Sequence, residues 1–180
     1  DITDGLRGIK KMLFPLTRKG VDKLPKDAPV ITWKEFICAG RRFVGNYIHK
    51  GDSYDTAAIL YSGGTTGTTK GILLSNLNFN ALALQTGTSG NCLQPGHLML
   101  SIMPIFHGFG LGVCIHTILY WGATAILIPQ FDAKSYCKLL GQYKPNYIAG
   151  VPTLFEALLR MEDAQNLDMS QLEGIFSGGD

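Results

Sequence analysis

Charged residues are scarce in this chain, 17% of its 180 residues, and the two signs nearly cancel to a formal net charge of +2. Lys and Arg form no stripe interleaved with aromatics, so the electrostatic footprint of a nucleic-acid binder is missing. Cysteine is sparse as well. Cys38, Cys92, Cys114 and Cys137 stand far apart, with no C-x-x-C pair and no histidine at metal-ligand spacing. They read as reduced, mostly buried thiols, which points to a cytoplasmic protein and excludes a Cys/His metal centre. The opening Asp1-Ile2-Thr3-Asp4 lacks the basic-then-apolar order of a signal peptide, and the missing initial Met suggests a start inside a longer chain. A membrane span is not expected either. Leu111–Ile128 is long and mostly apolar, but His116 in its middle and the break at Trp121-Gly122 make it one buried helix turning into one buried strand.

What is present suffices for one sizeable core, since hydrophobic residues make up 46% of the chain. Its organising stretch is Ala57–Asn76. A strand-length apolar run, Ala57–Tyr61, stops at Ser62, Gly63, Gly64, Thr65, Thr66, Gly67, Thr68, Thr69 and Lys70, where hydroxyls and glycines replace every apolar side chain. Glycines let backbone N–H groups approach a ligand, hydroxyls add donors, and Lys70 adds a point charge, a surface suited to a polyphosphate. An ordinary polar loop would more often carry Asp, Asn or Pro. Two familiar phosphate loops are excluded: a Walker loop needs a hydroxyl directly after its Lys, where Gly71 stands, and G-x-G-x-x-G has no match in this stretch.

Upstream, residues 1–50 hold two helix candidates joined by the Lys23–Pro29 connector: a basic amphipathic stretch around Leu6, Ile9, Leu13 and Leu16, and a run from Trp33 to Ile48 behind a Thr32 cap with Glu35 three residues on. The first offers a basic face for peripheral contact with an anionic membrane, although a solvated helix face explains it as well. Downstream the pattern alternates. A helix capped by Ser75 over Leu77–Gln85 is followed by strand Leu98–Met103, helix Phe109–Tyr120, strand Ala123–Ile128, helix Ala133–Tyr143, strand Asn146–Val151, helix Thr153–Met161 and strand Gly174–Phe176. Strands spaced by single helices imply a layered α/β fold, a mostly parallel sheet with covering helices, built by residues 51–180. Ligands on such sheets gather at the carboxyl ends of the strands. Four candidate segments fall there: the glycine loop, the stretch around His107, Val151-Pro152, and Ser177-Gly178-Gly179-Asp180.

The glycine loop is similar to the phosphate signature of the adenylate-forming acyl-CoA synthetases, (Tyr/Phe)-(Thr/Ser)-Ser-Gly-Thr-Thr-Gly-x-Pro-Lys-Gly. Tyr61, Ser62, Gly64, Thr65, Thr66, Gly67, Lys70 and Gly71 match it; Gly63 stands for the usual Ser and Thr69 for the usual Pro, as in the variant of bacterial long-chain fatty-acid–CoA ligases. Met103-Pro104-Ile105-Phe106-His107-Gly108-Phe109-Gly110 resembles the family's Leu-Pro-x-(Phe/Tyr)-His-x-(Phe/Tyr)-Gly segment, and Ser177-Gly178-Gly179-Asp180 its Gly-Gly-acidic segment. The resemblance covers about residues 30–180. It implies that a carboxylate attacks ATP to give an acyl-adenylate, which a thiol, most often that of coenzyme A, then takes up, with Mg²⁺ assisting. It also implies that residues 62–70 hold the phosphates, that His107 acts beside the carboxylate, and that Val151, Pro152 and Ser177–Asp180 border the acyl and adenine pocket. The family's later motifs for adenine, ribose, Mg²⁺ and the adenylating Lys, and its C-terminal lid domain, lie outside these residues. The chain alone is therefore expected to be a weak-binding lobe without turnover, with uncovered sheet edges that favour a homo-oligomer. A fatty acid is the expected carboxylate; a ligase for aryl or amino acids and a non-catalytic nucleotide- or acyl-binding module are the alternatives.

Overall fold

The computed structural model describes residues 29–45, 50–62, 69–89 and 93–179. The basic Leu6–Leu16 stretch, Cys92, the glycine-loop residues 63–68 and Asp180 lie outside them. The chain divides into two compact units, Asp1–Lys50 and Gly51–Asp180.

In the first unit, α1 (Trp33–Arg41) starts where the sequence places it. Thr32 and Glu35 cap it reciprocally: the Glu35 N–H donates to Thr32 Oγ1 at 3.2 Å and the Thr32 N–H to Glu35 Oε2 at 2.7 Å. The helix ends at Arg41 and residues 42–45 do not continue it, while 46–49, the rest of the expected run to Ile48, lie outside the described residues. Gly40 weakens the last turn, and the Arg42 N–H closes it by bonding back to the Ala39 and Gly40 carbonyls.

The second unit opens on β1 (Thr56–Ser62) and β2 (Lys70–Ser75), paired antiparallel with Leu60 opposite Ile72 and Ser62 opposite Lys70. This corrects the expected parallel placement of the first strand. A connection of seven residues cannot hold a crossover helix, so β1 turns back on itself as a separate two-stranded sheet. Ile72-Leu73-Leu74, to which the sequence alone assigns no strand, belong to the returning one.

At Ser75 the chain enters α2 (Asn76–Thr88) through a second reciprocal cap, with Asn78 in the position Glu usually takes. Then come β3 (Leu98–Ser101), a π-helix (Phe109–Thr117) closing in one α turn, α3 (Ile118–Tyr120), β4 (Thr124–Leu127), α4 (Ala133–Tyr143), β5 (Tyr147–Gly150), α5 (Pro152–Leu159), the short α6 (Glu162–Gln165) and β6 (Gly174–Ser177). Four strands form one parallel sheet in the order β4-β3-β5-β6. The expected α/β architecture is therefore present, carried by the last four strands. Strand ends lie within two residues of expectation, and α4 has the expected bounds. The α5 helix begins one residue early because Pro152 occupies its first turn, where a missing N–H costs nothing.

Alternation along the two central strands builds two cores. Met99, Tyr147 and Ala149 face Leu93, Cys114 and Ile118, while Leu100 and Ile148 face Tyr136, Leu140, Leu154 and Leu158. Helices on both faces explain why β3 and β5 are nearly unbroken apolar runs. The edge strands are half covered; Leu127 on β4 and Ile175 on β6 are exposed.

The amino end of the sheet is tied by Asn146. Its Oδ1 accepts the Leu98 N–H at 3.0 Å, its Nδ2 donates to Glu173 Oε1 at 2.9 Å, and its carbonyl accepts the N–H groups of Glu173 and Gly174. One side chain thereby aligns the starts of β3, β5 and β6, and leaves the carboxyl ends to the loops.

Candidate active site

Three carboxyl ends converge on one cavity of about 400 Å³, lined by Met103, Pro104, Phe106, His107, Phe109, Val151, Ser177, Gly178 and Gly179. Each segment arrives from its own strand: residues 102–109 from β3, Val151 from β5 and Ser177–Gly179 from β6. The Gly178 N–H donates to the Gly150 carbonyl at 3.3 Å, joining two of these exits. Gly179 has φ +76°, in the left-handed region open to glycine, so its backbone can line the cavity without strain.

His107 is exposed on this wall and held by backbone on three sides. Its N–H donates to the Pro104 carbonyl at 3.1 Å, its carbonyl accepts the Leu111 N–H at 2.9 Å, and its Nδ1 accepts the Phe109 N–H at 3.1 Å. A neutral imidazole accepting at Nδ1 carries its hydrogen on Nε2, so the ring offers the cavity a donor. Gly110 makes this strap fit: a Cβ there would lie 2.0 Å from the Pro104 carbonyl oxygen, the same oxygen that receives the His107 N–H.

Behind the wall, Ser101 and Cys114 are buried, and burial pushes the Cys114 thiol up to about 11 despite a hydrogen bond to the Met103 backbone. A second cavity of about 490 Å³ lies against the same partition, sharing Met103, Pro104 and Val151 and adding Ile102, Phe131 and Leu154.

Of the residues expected from the sequence, His107, Val151 and Ser177–Gly179 therefore meet in one place. Pro152 takes the first position of the helix behind Val151 and is exposed. Ser62 and Lys70 face each other across the hairpin, which fixes both ends of the glycine loop, while Gly63–Thr68 and Asp180 lie outside the described residues. The hairpin runs beside the histidine segment: a Cβ built on Gly108 would touch Leu60 Cδ1 at 3.6 Å. The cavity's apolar walls, Met103, Phe106 and Phe109, were not singled out from the sequence, although all three flank the histidine in the motif. Among the described residues, no three His, Cys, Asp or Glu side chains gather to hold a cation, and no helix is long and apolar enough to cross a membrane.

Comparison with known proteins matches this geometry to a family. The model of the AMP-binding enzyme family matches residues 16–180. A long-chain-fatty-acid–CoA ligase of Bacillus subtilis is 28% identical over 180 residues, 98% of this chain and 32% of that protein. One of Yersinia pestis is 37% identical over 128 residues, 69% of this chain and 23% of that protein. The chain thus spans a third or less of the length of these relatives. Among solved structures, ATP-bound MatB from Rhodopseudomonas palustris superposes with a TM-score of 0.66 at 28% identity, over 73% of this chain and 25% of that one. By its glycine-rich hairpin, its parallel sheet and the matching family model, the chain belongs to the AMP-binding enzymes.

Proposed function

We propose that the protein to which these residues belong activates a carboxylic acid with ATP and passes the acyl group to a thiol, that of coenzyme A. A carboxylate oxygen attacks the α-phosphorus, the bond to pyrophosphate breaks, and an acyl-adenylate forms. The thiolate then attacks the acyl carbon and AMP leaves. The observation that carries this reading is the convergence of His107 and the Ser177–Gly179 backbone on one cavity, beside a hairpin whose ends anchor the glycine loop.

Within it, the hydroxyls and N–H groups of residues 62–69 hold the β- and γ-phosphates and Lys70 adds charge where the chain leaves the loop. Chemistry of this kind depends on positioning and on neutralising developing negative charge. His107 donates from Nε2 to the carboxylate, and Val151, Pro152 and the backbone of Ser177–Asp180 border the acyl and adenine groups. Binding of ATP and acyl group is thereby assigned to residues 51–180. The described residues provide no cluster of His, Cys, Asp or Glu for Mg²⁺.

A medium- or long-chain fatty acid is the substrate class we favour. Support comes from the apolar lining of the cavity by Met103, Phe106, Phe109 and Val151 and from two relatives named as long-chain-fatty-acid–CoA ligases. Carboxylate-dependent exchange of labelled pyrophosphate into ATP, run on the complete protein with a panel of acids, tests both parts. Fatty acids should support the fastest exchange. Exchange with no acid would refute activation, and a maximum with aryl or amino acids would refute the fatty-acid assignment.

A further inference from the structure

A π-helix of nine residues is long for a form that usually occurs as a single turn inside an α-helix. Here it begins two residues after His107, and its first residue, Phe109, both lines the cavity and supplies the N–H that holds His107 Nδ1. Two buried hydroxyls grip the carbonyls of this segment. Thr117, 0% exposed, donates from Oγ1 to the Gly112 carbonyl at 2.9 Å, five residues back along the chain. Ser101, 3% exposed, donates from Oγ to the Cys114 carbonyl at 3.1 Å from the end of β3. Neither residue reaches the cavity, and nothing in the proposed chemistry uses them.

We infer that Ser101 and Thr117 are positioning residues: they hold the π-helix in register so that its first amide fixes the ring of His107. The spacing of Thr117 and Gly112 is that of the π repeat, whereas an α-helix brings the fourth residue back, not the fifth, into bonding range. Relaxing the segment by one residue into α form would turn its start by roughly 100° relative to its end. Phe109 would swing away from the cavity wall, and its N–H would leave His107 Nδ1. Gly112 keeps the opposite side tight, since a Cβ there would lie 2.6 Å from Leu82 Cδ2 of α2. The two hydroxyls and the Leu82 contact thus hold the middle and far end of the helix, and its near end continues into the backbone that holds the histidine. This inference rests on the proposed role of His107, but the tautomer of the ring reads it independently.

The test uses Thr117→Val and Ser101→Ala in the complete protein, with Thr117→Ser and Ser101→Thr as the conservative partners. Long-range proton–nitrogen spectra of ¹⁵N-histidine-labelled protein report whether His107 Nδ1 is the bare nitrogen. Wild type should show a single tautomer with hydrogen on Nε2; Thr117→Val should show a mixture, and Thr117→Ser the wild-type form. In pyrophosphate exchange, kcat/KM for the carboxylate should fall about tenfold per lost hydroxyl while KM for ATP stays constant. If Thr117→Val does not fold, Ser101→Ala carries the same readouts. A folded variant with wild-type tautomer and wild-type carboxylate kinetics overturns the inference, as does a fall in activity that Thr117→Ser fails to restore. Should wild type exchange pyrophosphate with no acid, the proposed function fails, and an unchanged tautomer in the variants would then overturn the positioning role by itself.

Discussion

Trp121 donates from its indole Nε1 to the Ala83 carbonyl at 2.9 Å, across the bare Cα of Gly87, where a Cβ would lie 2.0 Å from that same nitrogen. The contact pins the turn between α3 and β4 onto α2, and it exists only because position 87 has no side chain.

Gly87→Ala should therefore destabilise the protein even though alanine is the better helix former. The indole must move, the Ala83 carbonyl loses its extra donor, and overpacking adds to the loss. A cost of about 2–4 kcal/mol follows, against a helix-propensity gain of about 1 kcal/mol. Urea denaturation measures it. Unchanged stability would mean that the indole has room to leave at no cost.

The glycine loop is tested by replacing Thr65 and Thr66 with Val in the complete protein. Losing two donors to a charged phosphate should raise KM for ATP by one to two powers of ten, at about 1.5 kcal/mol per bond. Circular dichroism should stay as in wild type. Unaltered ATP kinetics would remove the loop from the phosphate site.

His107→Ala should act on the other substrate. A donor on the cavity wall concerns the carboxylate, so kcat/KM for the acid should fall by about 10²-fold with KM for ATP nearly constant. A collapse of ATP binding with intact carboxylate kinetics would assign His107 a different role.

The cysteines give a prediction in pH. Burial raises the Cys114 thiol from 9.0 to about 11, and that of Cys137 in the same direction, whereas Cys38 is exposed. An acid whose pKa is raised by folding contributes stability below its unfolded value, and that stability is lost as pH rises through the folded one. The protein should thus weaken between about pH 9 and 11, and Cys114→Ala should flatten that limb of the urea-midpoint profile. At neutral pH an alkylating reagent should label Cys38 within the native lifetime and reach Cys114 and Cys137 only after unfolding. Prompt native labelling of Cys114 would contradict its burial.

Much of this arrangement was legible because each signal was local. Thr32 with Glu35 and Ser75 announced two helix starts through side-chain capping alone. Tyr147-Ile148-Ala149-Gly150, buried throughout, lie in the run Asn146–Val151 read as a parallel strand with both faces covered. His107 and Ser177–Gly179 were proposed from motif and from the rule that ligands sit at strand ends, and they line one cavity. What escaped depended on partners distant in sequence or on backbone form. Ile72-Leu73-Leu74 is apolar enough for either helix or strand, and only pairing with Ile59 and Leu60 decides it. Gly110 and Gly112 lie inside a run read only as an apolar helix; their bare Cα atoms let a π-helix lie against Pro104 and Leu82. The walls Met103 and Phe109 needed the sheet to be assembled before they could be seen to face Val151.

The Asn146 tie at the amino end of the sheet has a further consequence for how the protein tolerates change. One residue, through its amide and its carbonyl, ties the starts of three strands at the end of the sheet remote from the cavity. Substitutions at Phe106, Val151 or Ser177 can then be sampled without shifting the frame that holds them. On the proposed function, a lineage could try new acids by altering a few loop positions while Asn146 stays in place.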